Sequence, residues 1–242
     1  MSRFREKMQA LRRFSVARVV CLRFDQALAD MPAAEFIRRL LVEGLAVRYL
    51  VVGDDFRFGK GRKGDFAMLQ ESGSAQGFQV ASMHTFNVDG TRVSSTAIRE
   101  ALLRDDLAAA EKLLGRPYRM CGRVVHGDER GGKIGFPTAN IHLHRKSSPV
   151  GGVYAVEMFG LEREPLPGVA NVGTRPTVGG AESRLEVHLL DFDQNIYGRY
   201  VNVDFLDKLR PEQRFDSLED LVAQIRKDAA TAREFHAHRG RD

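Results

Sequence analysis

Five short runs in the second half of the chain, 122–126, 152–158, 168–172, 184–191 and 199–206, are β-branched or alternate apolar with polar residues, and Gly, Pro, Asn or Asp punctuates the stretches between them. A period of two puts successive side chains on opposite faces of a strand, so each run has one face to bury. Several such strands in a short span predict a compact all-β barrel. One helix follows. Ser217 is placed to cap it, and Leu218, Leu221, Val222 and Ile225 recur at helical spacing to give an apolar stripe.

The stretch GRVVHGDERGGKIGFPTANI (122–141) leads from the first run into a turn containing Gly127, Gly131, Gly132 and Gly135. Without side chains, such a turn lets a ligand approach the backbone, and successive N–H groups form a concavity suited to an anion. Lys133 adds positive charge, Thr138 offers a hydroxyl to a metal ion, Asn140 offers an amide, and Pro137 after Phe136 fixes the local backbone. The P-loop pattern G-x-x-x-x-G-K-[ST] is absent, and a glycine cluster by itself is equally a hairpin loop.

Three further motifs follow in order: GVANVGTRPT (168–177), LEVHLLDF (185–192) and LRPEQRFDSL (209–218). Together with GFPTAN they resemble riboflavin kinase over 118–235, essentially the whole C-terminal half. The resemblance implies a six-stranded antiparallel Greek-key barrel with a C-terminal helix. It also implies transfer of the γ-phosphoryl of ATP, with Mg²⁺, to the 5′-hydroxyl of riboflavin to give FMN.

The same resemblance assigns roles. Gly127, Lys133, Gly135, Phe136, Pro137, Thr138 and Asn140 are expected at ATP and Mg²⁺, with Thr138 as metal ligand, and Glu186 as the catalytic base. Arg210, Glu212 and Phe215 are expected to contact the flavin or to order the loop over it. From the residues alone, Glu186 and His188 are the outward positions of an alternating strand, an ordinary solvent face. Phe215 is equally a staple for the helix that follows.

The first half has another character. Runs 19–24 and 47–52 are short and largely apolar, and Ala34, Phe36, Ile37, Leu40 and Leu41 between them have helical spacing, which predicts a β-α-β unit of a parallel sheet. GDDFRFG (53–59) then leaves the carboxyl end of a strand, where open α/β folds bind ligands. SSTAIR (94–99) brings hydroxyls and an arginine to a helix start, suited to phosphate or simply to capping. These motifs resemble the FMN adenylyltransferase module of bacterial bifunctional riboflavin kinase/FAD synthetases.

The expected fold is therefore a partial Rossmann-like nucleotidyltransferase α/β domain over 1–117, with the barrel domain over 118–242. Asp55, Phe56, Arg57, Ser94, Ser95, Thr96 and Arg99 are the expected nucleotide-binding residues of the first. The GxFDGxHxGH-type motif that opens that module in the family has no counterpart in this sequence. Its histidines bind the ATP phosphates, so the first domain is expected to be truncated and FAD synthesis impaired. The alternatives are a fully bifunctional enzyme that also yields FAD, and a non-catalytic flavin-binding module.

Lys and Arg exceed Asp and Glu by five over 1–118 and balance them over 119–242. Lys60, Arg62, Lys63, Arg92 and Arg99 lie close in sequence to the nucleotide motifs, so phosphate-bearing small molecules explain the excess better than nucleic acid. No run approaches the ~20 apolar residues that cross a bilayer, and a cytoplasmic enzyme without membrane partners is expected. Neither Cys21 nor Cys121 has zinc-ligand spacing.

Overall fold

The computed structural model describes residues 3–83, 86–127, 134–143, 147–177 and 180–239, without the side chains of 174–182. Two compact units emerge, Ser15–Arg92 and a larger one formed by Met1–Phe14 with Val93–Asp242. The larger unit opens with helix α1 (Phe4–Arg13).

In the smaller unit, helices α2 (Gln26–Ala29) and α3 (Ala33–Phe36) come first, and α3 continues as a π-helix over Ile37–Gly44. Strand β1 (Tyr49–Gly53), helix α4 (Phe66–Gln76) and strand β2 (Gln79–Met83) follow, with β1 and β2 parallel. Asp65 caps α4, accepting from the Met68 N–H at 3.0 Å, and Gly77 ends it in the left-handed region. A core of Ile37, Leu41, Phe58, Leu69 and Phe78 holds the helices to the sheet. A hairpin of β3 (Asn87–Val88) and β4 (Thr91–Arg92) closes the unit.

The β-α-β unit is thus β1-α4-β2, and the strand expected over 19–24 does not form: Val20 and Phe24 are 59% and 82% exposed. A strand needs a partner for its backbone groups. Among the described residues, β1 pairs only with β2, and its other edge offers 19–24 no ladder.

The larger unit continues with α5 (Ser95–Leu103) and α6 (Leu107–Leu114), then strands β5 (Tyr118–Val125), β6 (Ala139–His142), β7 (Gly152–Phe159), β8 (Leu166–Thr177), β9 (Gly180–Leu189) and β10 (Tyr200–Arg210). These six close a barrel in the order β10-β5-β6-β9-β8-β7, every pair antiparallel. The crossings from β6 to β7 and from β9 to β10 give the Greek-key order. The five expected strands are present, and β6 is the added one, formed by the end of GFPTANI. Helix α7 (Leu218–Arg239) follows, with Ser217 accepting from the Asp220 N–H at 3.1 Å as its cap.

Met120, Val124, Tyr154, Leu185, Val203 and Phe205 fill the barrel. Helices α5 and α6 join that core through Ile98, Ala101, Leu102 and Ala110, so the expected boundary between 117 and 118 lies within the larger unit. Asp105, just before α6, accepts from the Tyr154 hydroxyl at 3.3 Å and pairs with Lys208 at 2.6 Å. On the barrel wall, Arg119 grips Asp204 with two nitrogens and lies over the Phe159 ring at 4.6 Å.

Asp204 is 5% exposed, and removing one partner of a buried pair strands the other charge. Asp204→Ala should cost about 3–5 kcal/mol in denaturant unfolding. His236 on α7 offers a pH test. Burial holds its pKa below the ordinary range, reinforced by Arg239 and opposed by Glu157. Protonation therefore favours the unfolded chain: the stabilisation is complete above pH about 6.5 and is lost as pH falls toward the lower folded value. Melting curves between pH 7 and 5 should fall less steeply in His236→Phe.

Candidate active site

Register is what assembles the site. β6 pairs with β9 so that Asn140 faces Glu186, and β9 pairs with β8 so that Glu186 faces Asn171. Directly opposed residues of antiparallel strands share a face, so the three side chains form a row across three strands. Their neighbours Ile141, Leu185, Val187, Ala170 and Val172 are buried on the other face, inside the barrel. Positions 184 and 188 lie on the same face as Glu186, two residues to either side.

This row lines a cavity of about 360 Å³ that Thr138 and Phe136 also line. Its opposite side is made by Leu221 and Ile225 of α7 and by Glu212, Gln213 and Phe215 of the loop before it. The first half of α7, from Leu221 to Ala229, therefore walls the cavity, and Ala229 and Ala232 pack on the barrel with Ala155 and Leu190.

A buried ion pair sets the position of that wall. Arg210, at the end of β10, donates to Asp228 of α7 from Nε at 3.0 Å and from Nη2 at 2.8 Å, and Gln224 donates to the same carboxylate at 2.8 Å. Asp228 is 5% exposed. Arg210 also reaches the Pro211 carbonyl at 3.0 Å and lies 5.7 Å from the Phe215 ring, so one side chain ties strand, loop and helix together. Glu212 rests against Gly173 of β8, where a Cβ would come within 2.4 Å of its carboxylate.

The glycine-rich segment is pinned from the other side. His188 Nδ1 is 2.9 Å from the Pro137 carbonyl, which can only accept, so the Nδ1–H tautomer is the bonded one. Phe136 meets the same ring edge-on at 5.4 Å. Gly127 leaves room for Asn140, since a Cβ there would lie 2.2 Å from the amide nitrogen. Gly135 adopts φ +82°. Glu186 itself pairs with Arg184 at 3.0 Å.

The donor set suits a magnesium nucleotide. Asn140 Oδ1 is buried with no hydrogen-bond partner among the described residues, and the Thr138 side chain lines the same cavity. No cluster of three His, Cys, Asp or Glu able to hold a metal exists among the described residues. Mg²⁺ needs none where phosphate and water oxygens complete its octahedron around one or two protein oxygens.

Of the expected kinase residues, Phe136, Thr138, Asn140, Glu186, Arg210, Glu212 and Phe215 line one cavity. Gly127, Gly135 and Pro137 shape the segment that presents Thr138 and Asn140, and Lys133 lies outside the described residues. Sequence reasoning missed Asn171, Arg184, Gln213 and Asp228. The signal for Asp228 was an acid on the inner face of an amphipathic helix, and Asn171 stood within GVANVGTRPT.

The other nucleotide candidates fall in different units: Asp55, Phe56 and Arg57 in the smaller, Ser94, Ser95, Thr96 and Arg99 in the larger. Asp55 pairs with Arg92 at 3.1 Å, and Phe56 stacks on Phe58 at 5.6 Å. Ser94 accepts from the Ala97 N–H at 3.1 Å as the cap of α5, and Arg57, Ser95, Thr96 and Arg99 are exposed.

Comparison with known proteins bears on the family of the chain. The riboflavin kinase family model matches 114–236, and the FAD synthetase family model matches 1–97. The bifunctional riboflavin kinase/FMN adenylyltransferase of Escherichia coli K12 is 56% identical over 235 residues, covering 97% of this chain and 75% of that protein. The protein of the same name from Haemophilus influenzae is 50% identical over 97% of this chain and 76% of its own length. A crystal structure described as a macrolide-efflux protein from Streptococcus pneumoniae superposes with a TM-score of 0.82 at 34% identity, covering 96% of this chain and 74% of that one. Among the described residues no helix is long and apolar enough to cross a membrane. With both family models matched in order and half or more of its residues shared with relatives over nearly its whole length, the chain belongs to the bifunctional riboflavin kinase/FMN adenylyltransferase family.

Proposed function

We propose that the barrel cavity is where this chain, an ATP-dependent riboflavin kinase by family, makes FMN from riboflavin. The observation that carries the assignment is the row of Asn140, Glu186 and Asn171 facing a cavity with an apolar far wall. One end of that cavity suits phosphate and metal, the other a flat ring system.

Phosphoryl transfer asks the protein chiefly for position and charge compensation. Thr138 and Asn140 would hold Mg²⁺ and the ATP phosphates, and the ion supplies charge neutralisation of the γ-phosphoryl when bound. Glu186 accepts the proton of the riboflavin 5′-hydroxyl as that oxygen bonds to the γ-phosphorus and the bond to the ADP oxygen breaks. Phe215, Leu221 and Ile225 flank the flavin, and Arg210, held by Asp228, keeps the loop 211–217 in place over it.

FAD formation is a separate matter. The family match over 1–97 favours it, whereas this sequence lacks the histidines of the GxFDGxHxGH-type motif. The proposal is that this chain releases FMN and little FAD. Incubation with riboflavin, ATP and Mg²⁺, with FMN resolved from FAD, tests both parts: FAD in amounts matching FMN overturns the second, and the absence of both products overturns the first.

Two variants test individual roles. Glu186→Gln should lower kcat about 10²–10⁴-fold with an unchanged melting temperature, and a wild-type rate would remove Glu186 from the base role. His188→Ala frees the Pro137 carbonyl and loosens the segment carrying Thr138 and Asn140. KM for MgATP should rise several-fold more than KM for riboflavin.

A further inference from the structure

A second cavity, of about 440 Å³, lies beneath α1 within the larger unit. Arg12, Arg13 and Phe14 bound it on the helix side, and Ile98, Arg116 and Asn202 on the other. None of these residues belongs to the kinase cavity.

Four arginines, Arg12, Arg13, Arg116 and Arg119, line it against one carboxylate, that of Glu6. Arg119, on the same wall, is taken up by Asp204, but the Arg116 guanidinium donates to the Pro117 carbonyl at 3.1 Å rather than to a carboxylate among the described residues. Burial, and then the neighbouring charge of Arg119 with a smaller contribution from Arg13, disfavours its charged form, against the weaker pull of Asp204 and Glu6. Arg12 and Arg13 also complement the carbonyl end of α1, a role that Arg116 does not share.

Lys60 and Arg92, expected near phosphates, are paired with Asp30 and Asp55 at 3.1 Å. Arg62, Lys63 and Arg99 are exposed, whereas Arg116 is half-buried. The remaining surfaces are of two kinds. Phe14 is 81% exposed at the mouth with Ile98 behind it, and Asn202 Oδ1 is buried without a hydrogen-bond partner among the described residues. An anion would complete the arginines, an aromatic ring would cover Phe14, and a donor would suit the amide.

We propose that this cavity is a binding site for a phosphate ester of an aromatic molecule, with the phosphate on Arg116, Arg12 and Arg13 and the ring against Phe14. Nucleotides and flavin phosphates share that chemistry. The site is independent of the kinase assignment, because it shares no residue with that cavity.

Isothermal titration of the full chain with FMN, AMP and inorganic phosphate tests it, each in wild type, Arg116→Gln and the kinase-cavity variant Thr138→Val/Glu186→Gln. The expected result is a binding event that persists in the kinase-cavity variant, weakens about 10- to 100-fold in Arg116→Gln, and weakens again in 0.5 M NaCl. FMN or AMP should bind more tightly than phosphate, and their order separates a flavin from a nucleotide site. Riboflavin kinase turnover, or its absence, should be the same in Arg116→Gln as in wild type. Binding indifferent to Arg116→Gln overturns the proposal, as does binding of phosphate alone. Should Arg116→Gln fail to fold, Arg13→Gln at the exposed end of α1 carries the same test, with a several-fold loss expected and an unchanged affinity fatal to the site.

Discussion

The hydrogen-bonded register of β6, β9 and β8 decides both the core and the chemistry of the larger unit. A slip of one residue in β9 would turn Leu185 and Val187 outward and bury Glu186 and His188 in the barrel. The buried alternate residues therefore enforce the polar row: the cost of exposing Ile141, Leu185, Val187 and Val172 keeps Asn140, Glu186 and Asn171 side by side. The barrel thereby sets where the central carboxylate stands, and its pair with Arg184 on the same strand face adds a side-chain tie.

The opposite wall depends on a different force. The loop before α7 and the first turns of the helix bury little, and the Arg210–Asp228 pair with Gln224 ties the helix to the end of β10. The two partners satisfy each other's charge through several donors, so the pair fixes geometry where apolar contact is sparse. Small residues at 229 and 232 let the middle of the helix pack on the barrel with Ala155 and Leu190.

Much of this was legible in the residues, unevenly. Alternation gave the strands, and Ser217 with the stripe beginning at Leu218 gave the helix. The stripe's first members turned out to face a cavity rather than a core, because periodicity reports which face is apolar and not what lies opposite. Strand β6 is hidden: Thr138 and Asn140 stand out for their ligand chemistry, and four residues are too few for period-two alternation to show. In the smaller unit, hydrophobicity marked 19–24 as a strand, but a strand is a property of a pair, and the parallel partner of β1 was β2. An acid on the inner face of a helix marks Asp228, but its pairing with Arg210, 18 residues away, has no local pattern.

The way α5 and α6 join the barrel core bears on how the kinase part is divided from the rest of the chain. A fragment begun at the composition seam near Pro117 would leave Tyr154 without Asp105, Lys208 without its counter-charge, and a facet of the barrel bare where Leu102 and Ala110 had been. The border of packing and the border of the candidate site therefore differ: the strands that carry the candidate site all follow Pro117, whereas the compact unit resumes at Val93 and takes in α1 as a detached piece. Gene-level dissection of such a protein is best guided by the packing border, with the reactive motifs carried along inside it.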